Sequence, residues 1–213
     1  MADRPTASSS GRGRRATLEQ ERSRRTKGAL VEAAERLWGE QGVDAVTVAQ
    51  LCHQAGVSKG LFYFYFETKE DLLVELLLAD ADEVAVAVGR AVDAGDPIDQ
   101  VLQAALAVMA RRARRHPRHL LARAIAEWFA ALERHADIRI GHTPLQTTFA
   151  AAFTHGQQRG EVVSDLSADE LGGLLEWALL RAELEWAMSA SRQPSLVKRL
   201  WSRAELVLRG ARP

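Results

Sequence analysis

Cysteine is almost absent from this chain, since Cys52 is the single one among 213 residues. One cysteine excludes an intramolecular disulfide framework and is typical of proteins kept in a reducing compartment. No run of 18 apolar residues without a charge is present, so no membrane-spanning helix is expected. The first 27 residues are polar and Arg-rich and have no apolar core, which argues against a secretory signal. These absences predict a cytoplasmic protein.

The alternating apolar and polar pattern of a half-buried strand is also missing. Apolar residues recur instead at helical spacing almost throughout. Helix starts are marked by capping motifs at Thr47, Ser58, Thr68, Asp96-Pro97, Thr143, Ser167 and Pro194-Ser195. We therefore predict an all-α fold of about nine helices, with breaks near residues 42, 56, 67, 95, 116, 141, 161 and 192.

The formal net charge of zero conceals an uneven distribution. Residues 1–69 hold 11 Lys and Arg against 8 Asp and Glu, a net of +3, which leaves −3 for residues 70–213. A basic head on an acidic body indicates that the head meets an anion such as a nucleic acid. The alternative is a tail whose charges are merely solvated.

Residues 43–73 form the most informative stretch and read as helix, tight turn, helix and the start of a further helix. Gly56 supplies the turn residue at which a positive φ is cheapest, and Val57 is predicted to be a buried anchor. A helical projection of the second, short helix places Ser58, Phe62, Tyr65 and Phe66 on the side that packs on the first helix. The outer side and its flank then carry Gly60, Leu61, Tyr63 and Phe64. A helix with such a face fits the DNA major groove.

The same stretch resembles the DNA-binding region of the TetR family of bacterial transcriptional regulators. The matching features are Thr47, Cys52, Ala55-Gly56-Val57-Ser58, Lys59-Gly60, Tyr63, Tyr65-Phe66, Lys69-Glu70 and Leu72-Leu73. The resemblance implies DNA contacts from Thr47, Ser58, Lys59, Gly60, Leu61, Tyr63, Phe64, Tyr65 and Lys69. Within that set, Thr47 and Lys69 are implied to bind backbone phosphates. The domains expected are a disordered Arg-rich tail over 1–18, a helix-turn-helix domain over 19–68 and a ligand-binding and dimerisation domain over 69–213.

Two positions depart from the family pattern. Leu61 stands where threonine is common, and Phe64 stands where a polar residue is frequent, which favours contact with thymine methyl groups over hydrogen-bonded readout. The tail carries Arg12, Arg14, Arg15, Arg22, Arg24 and Arg25. These arginines fit either a minor-groove role or nonspecific electrostatics and solubility.

The resemblance further implies a helical body that binds a small molecule and forms a homodimer through its last two helices. Both helices are too apolar for the surface of a monomer, which favours burial of their apolar faces in a dimer interface. The alternative is that a core within one chain buries these faces. The ligand-binding candidates are Met109, Arg123, Trp128, Phe129, Phe149, Phe153, Trp177 and Arg181, with Glu127, His155, Glu176 and Trp186 beside them. Each of these also fits plain core or surface. The adjacent Glu and Trp residues hint at a lipophilic cation.

No convergent set of titratable groups indicates an enzyme, and no cofactor is predicted. The histidines around residues 116–119 lack supporting ligands, so no metal is predicted either, and Cys52 reads as a packing residue. The sequence thus predicts a ligand-responsive transcriptional regulator, specifically a repressor that a small molecule releases from a palindromic operator. The alternative is an architectural DNA-binding protein without a ligand.

Overall fold

The computed structural model of the chain describes residues 9–134, 143–191 and 194–213, and of residues 9–20, 80 and 132–134 it describes the backbone alone. Within these ranges every regular element is an α-helix. The helices are α1 (Ser9–Gln41), α2 (Val48–Ala55), α3 (Lys59–Tyr65), α4 (Asp71–Asp93), α5 (Ile98–Ala113), α6 (Arg118–Arg134), α7 (Pro144–Gln158), α8 (Ala168–Met188) and α9 (Leu196–Ala211). The predicted all-α class with about nine helices is confirmed. No helix among these residues is long and apolar enough to span a membrane.

Four of the predicted caps form as expected. The side chains of Thr47, Ser58, Thr143 and Ser167 each accept a hydrogen bond from the backbone N–H three residues on. Such bonds satisfy donors that the first helical turn leaves without a partner. Local residue types therefore set the starts of these four helices.

Other starts differ from the prediction. Pro97, and not Asp96, is the N-cap of α5, and it makes no side-chain cap bond. The backbone N–H of Ile98 donates instead to Glu161 Oε2 at 2.7 Å, from the loop after α7. At α7 the predicted capping box is half formed, because the side chain of Gln146 donates to the carbonyl of Asp169. At the starts of both α5 and α7, a residue distant in sequence takes the place of the local hydrogen-bonding partner.

The start of α1 also differs, since the helix begins at Ser9 and the predicted tail was to extend to residue 18. Helix-favouring Arg, Ala, Leu, Glu and Gln dominate residues 14–22, which accounts for the earlier start. Residues 1–8 of that tail lie outside the described residues.

The chain divides into two compact units, one closing at Leu72 and the other opening at Leu73, so the division falls inside α4. The smaller unit is built around fully buried side chains of α1, α2 and α3, among them Leu30, Trp38, Leu51 and Phe62. The larger unit has its own core, in which Leu102, Phe149, Phe153, Leu179 and Leu200 are wholly buried.

Helices α7 and α8 pack closely against each other at Gly172. A Cβ placed there would lie 2.7 Å from the backbone N of Ala150 and 2.8 Å from the carbonyl oxygen of Gln146. The close packing at Gly172 is therefore made to α7 of the same chain.

Candidate nucleic-acid interface and cavity

The N-terminus of α2 is fixed by a complete capping box. Gln50 N donates to Thr47 Oγ1 at 3.3 Å, and Thr47 N donates to Gln50 Oε1 at 2.8 Å. Both side chains are exposed. The partial positive charge of this exposed helix start suits a phosphate oxygen.

The turn between α2 and α3 depends on Gly56, which adopts φ 68 and ψ 29. This left-handed conformation is strained for residues with a Cβ. Val57, predicted to be a buried anchor, is only half-buried, and the wholly buried anchor is Phe62 of α3. Cys52 is buried on α2, and burial raises the pKa of its thiol, while nearby Lys59 lowers it to a smaller extent.

Helix α3 presents an apolar and aromatic outer face. Phe62 and Phe66 are buried, whereas Leu61, Tyr63 and Phe64 are 37%, 58% and 76% exposed. The projection from the sequence placed these five side chains correctly. Ser58, which the projection put on the inner side, is exposed and caps α3 by accepting from the backbone N–H of Leu61 at 3.1 Å. Burying Phe62 and Phe66 turns the remaining aromatics outward.

Lys69 holds the loop that leads into α2. Its ammonium Nζ donates to the carbonyl oxygens of Val43 at 2.7 Å and Val46 at 2.8 Å, with Asp44 further away at 3.4 Å. An ammonium has three N–H donors, and this arrangement directs all three to backbone carbonyls. The geometry favours a positioning role for Lys69 beside Thr47 over the phosphate contact that the resemblance implies.

The larger unit contains a cavity that opens partly to solvent. Its wall comes from five helices and the residue before α7, and it consists of Leu77, Leu78, Ala81, Val84, Met109, Leu121, Trp128, Thr143, Pro144, Leu145, Glu176, Leu180 and Glu183. The wall is thus apolar, apart from one hydroxyl and two carboxylates. A lining of this kind is typical of a small-molecule site.

Comparison with known proteins identifies the lineage. A sequence profile of the tetR family of bacterial regulatory proteins matches residues 30–76. The transcriptional repressor BepR of Brucella suis is 30% identical over 186 residues, which cover 79% of this chain and 74% of BepR. The chain belongs to the tetR family.

Other relatives are more partial. The regulator TtgR of Pseudomonas putida is 34% identical over 79 residues, so the chain spans only 37% of the length of TtgR. Among solved structures, the repressor FadR of Thermus thermophilus in complex with lauroyl-CoA has a TM-score of 0.69 at 23% identity, covering 86% of this chain and 94% of FadR. That likeness establishes a shared tetR-family fold.

The predicted DNA-contacting residues lie together in this tetR-family chain. Thr47, Ser58, Lys59, Gly60, Leu61, Tyr63 and Phe64 are exposed, and Tyr65 and Lys69 are partly exposed. From the tail, Arg22, Arg24 and Arg25 are exposed on α1, while the side chains of Arg12, Arg14 and Arg15 lie outside the described residues. All the described members of the set belong to the smaller unit.

The predicted ligand residues are scattered. Met109 and Trp128 line the cavity, as does Glu176 from the secondary set. Phe149 and Phe153 are wholly buried core residues, because the packing of the larger unit closes over them. Phe129 and Trp177 are about two-fifths exposed and stack at 5.6 Å between ring centroids.

The predicted polar ligand residues other than Glu176 also lie away from the cavity wall. Arg123 is exposed, Arg181 is exposed and pairs with Glu185 at 2.8 Å, and His155 Nε2 lies 2.9 Å from the carbonyl oxygen of Asp96. Trp186 is buried under the guanidinium of Arg118, whose Cζ lies 4.2 Å from the ring centroid.

Sequence reasoning missed the contribution of α4 to the cavity. Leu77, Ala81 and Val84 are spaced i, i+4 and i+7, which places them on one helix face. That spacing indicates a buried stripe, but it does not distinguish a filled core from a cavity wall. Among the described residues, no three His, Cys, Asp or Glu side chains are grouped as metal ligands, and His135 and His142 lie outside that part of the chain.

Proposed function

We propose that this tetR-family protein is a DNA-binding transcriptional repressor that a small-molecule effector releases from its operator. The observation that carries the proposal is the outer face of α3, where Leu61, Tyr63 and Phe64 are exposed on a capped helix. Large apolar side chains exposed together on a small unit usually mark a binding surface. A helix of this form fits the DNA major groove, and the exposed start of α2 supplies phosphate donors beside it.

The acting species in this proposal is a homodimer joined through α8 and α9. Leu174 of α8 and Leu206 of α9 are 61% and 67% exposed, and Trp177 and Val197 are each about two-fifths exposed. Exposed apolar side chains on these two helices favour association over a monomer in water. A twofold dimer requires an operator with two inverted half-sites.

The cavity of the larger unit is the proposed effector site. Helix α4 contributes Leu77, Ala81 and Val84 to the cavity wall, and its first residues belong to the DNA-binding unit. A ligand that binds more tightly to a DNA-incompetent arrangement shifts the population away from the operator complex. This function would be carried out in the cytoplasm, where a bacterial chromosome is accessible.

In vitro selection of random duplex DNA by the full-length protein, at about physiological salt, tests the proposal. We expect enrichment of a palindrome, and the selected duplex then serves as the probe for effector-induced release. Binding without any enriched sequence, with a steep salt dependence, would contradict it and support the architectural alternative.

A further inference from the structure

The cavity wall contains a buried carboxylate, Glu176, which is only 9% exposed. Thr143 Oγ1 donates to Glu176 Oε1 at 2.6 Å and itself accepts from Gln146 N at 3.0 Å. Because Thr143 Oγ1 accepts from Gln146 N, its own hydroxyl hydrogen is available to Glu176. The structure therefore positions a donor for the ionised form of Glu176.

A positive charge is missing from this arrangement. No Lys, Arg or His is among the described residues that line the cavity. Burial raises the pKa of Glu176, which the hydroxyl of Thr143 only partly offsets. Buried carboxylates in proteins are ordinarily paired with a cation or neutralised, since desolvating an unpaired charge is costly.

The remainder of the wall suits an organic cation. Trp128 offers an aromatic ring, to which ammonium groups are attracted, and Leu77, Leu121 and Leu180 provide apolar surface. A second carboxylate, Glu183, lines the same cavity two turns further along α8. None of the described residues that line the cavity is a cation that could pair with a carboxylate or phosphate group of a ligand.

We propose that the effector is a lipophilic cation, a quaternary or protonated amine on an apolar body, whose positive charge pairs with Glu176. The inference rests on the proposed function only in that the cavity is taken as the effector site. It separates this chain from FadR of Thermus thermophilus, which was solved with lauroyl-CoA, an anionic ligand.

The test is calorimetric titration of the full-length protein, without DNA, with decyltrimethylammonium, 1-decanol and decanoate. These probes share one chain length and differ in charge. We expect the ammonium to bind at least about tenfold more tightly than decanol, a difference of about 1.4 kcal/mol, and decanoate to bind most weakly. In Glu176→Gln the advantage of the ammonium over decanol should disappear while decanol binding persists.

Glu170→Gln is the matched control, because Glu170 is an exposed carboxylate on the same helix. It should leave all three affinities unchanged. The inference is overturned if the ammonium does not bind, if decanoate binds as tightly, or if Glu176→Gln keeps the preference. Operator binding without cation binding would remove this inference alone, whereas cation binding without operator binding would remove the proposed function alone.

Discussion

In the proposed operator complex, two of the exposed α3 side chains, Leu61 and Phe64, offer no hydrogen bonding to bases. Leu61 and Phe64 are exposed where polar residues are frequent in the family, so the base edges they meet are best matched by thymine methyl groups. Burying one methyl group is worth about 0.8 kcal/mol, or about fourfold in affinity. Replacing the contacted thymine with deoxyuridine in the selected operator should therefore weaken binding by about that factor.

The matched protein variant is Phe64→Ala, which should bind the two operators equally because the methyl contact has already been removed. Val86→Ala, an exposed apolar position on α4, should retain the wild-type preference. Fluorescence anisotropy of the wild type and the two variants with both duplexes gives the six affinities. Equal binding of both duplexes by the wild type at every thymine would dismiss methyl readout.

Lys69 and Lys59 should differ in how they affect salt dependence. The ammonium of Lys69 donates to backbone carbonyls, so Lys69→Met should weaken DNA binding by loosening the start of α2 and leave the slope of log affinity against log salt unchanged. Lys59 is exposed at the first residue of α3, and Lys59→Met should reduce that slope by about 0.9, the loss of one phosphate contact. A slope reduced in Lys69→Met would restore Lys69 as a phosphate ligand.

Glu161 acts as a remote cap for α5. The Ile98 N–H chiefly lowers the pKa of Glu161, with a further contribution from Arg159, so the carboxylate stabilises the fold while it is ionised. Glu161→Ala should reduce the free energy of unfolding by about 1 kcal/mol at pH 7, as for a lost N-cap. The pKa of Glu161 in the folded protein lies below its ordinary value of 4.5. The difference in the free energy of unfolding between the wild type and Glu161→Ala should therefore be present above pH 4.5 and shrink as the pH falls further.

Urea unfolding followed by circular dichroism at several pH values measures that difference. Glu170→Gln, an exposed carboxylate of the same unit, is the control and should be near neutral. A wild-type advantage over Glu161→Ala that stays constant down to the lowest pH would show that the negative charge of Glu161 is irrelevant.

At the scale of helices, the contact between α7 and α8 depends on the missing side chain of Gly172. Gly172→Ala would force a Cβ against the backbone of α7, with Ala150 N at 2.7 Å, so the two helices must separate. Overpacking of this kind costs about 1–3 kcal/mol. The midpoint of thermal or urea unfolding should fall accordingly.

Gly89 provides the matched control for Gly172→Ala. It lies within α4, and a Cβ there would have nothing within 4 Å. Gly89→Ala should therefore stabilise the protein by up to about 1 kcal/mol through helix propensity. If both substitutions stabilised, the close approach of α7 and α8 would carry no packing constraint.

How far the sequence predicts these elements depends on whether the decisive contact is local. The capping box at Thr47 and the inward face of α3 at Phe62 follow from residues within four positions of each other. The cap of α5 depends on Glu161, 63 residues away, and Gln146 turns to Asp169 instead of closing its own box. Residue types and spacing carry no information about partners brought together by tertiary packing.

Prediction of a binding site from the sequence has the same limit, as the cavity shows. Large aromatic residues were the natural candidates, yet Phe149 and Phe153 fill the core while leucines of α4 line the space that remains. Whether an apolar residue fills or borders a cavity is decided by how neighbouring helices pack, since interiors are close-packed almost everywhere. Helical periodicity identifies the buried face but not the void.

For the whole molecule, the division inside α4 makes one continuous helix common to the DNA-binding unit and the cavity wall. Coupling through it is reciprocal in the proposed mechanism. An effector that weakens operator binding by a given factor must itself bind the operator complex more weakly by that same factor.

The exposed apolar surface of α8 and α9 also predicts that the whole molecule self-associates. Twice the chain mass of 23.4 kDa is expected by light scattering, since α8 and α9 expose Leu174 and Leu206. Leu206→Glu would place a charge in that apolar surface, so we expect a monomer that binds a single half-site and loses affinity for the palindrome. Val86→Glu, an equally apolar position on α4, should remain dimeric, and a dimeric Leu206→Glu protein would place the interface away from α9.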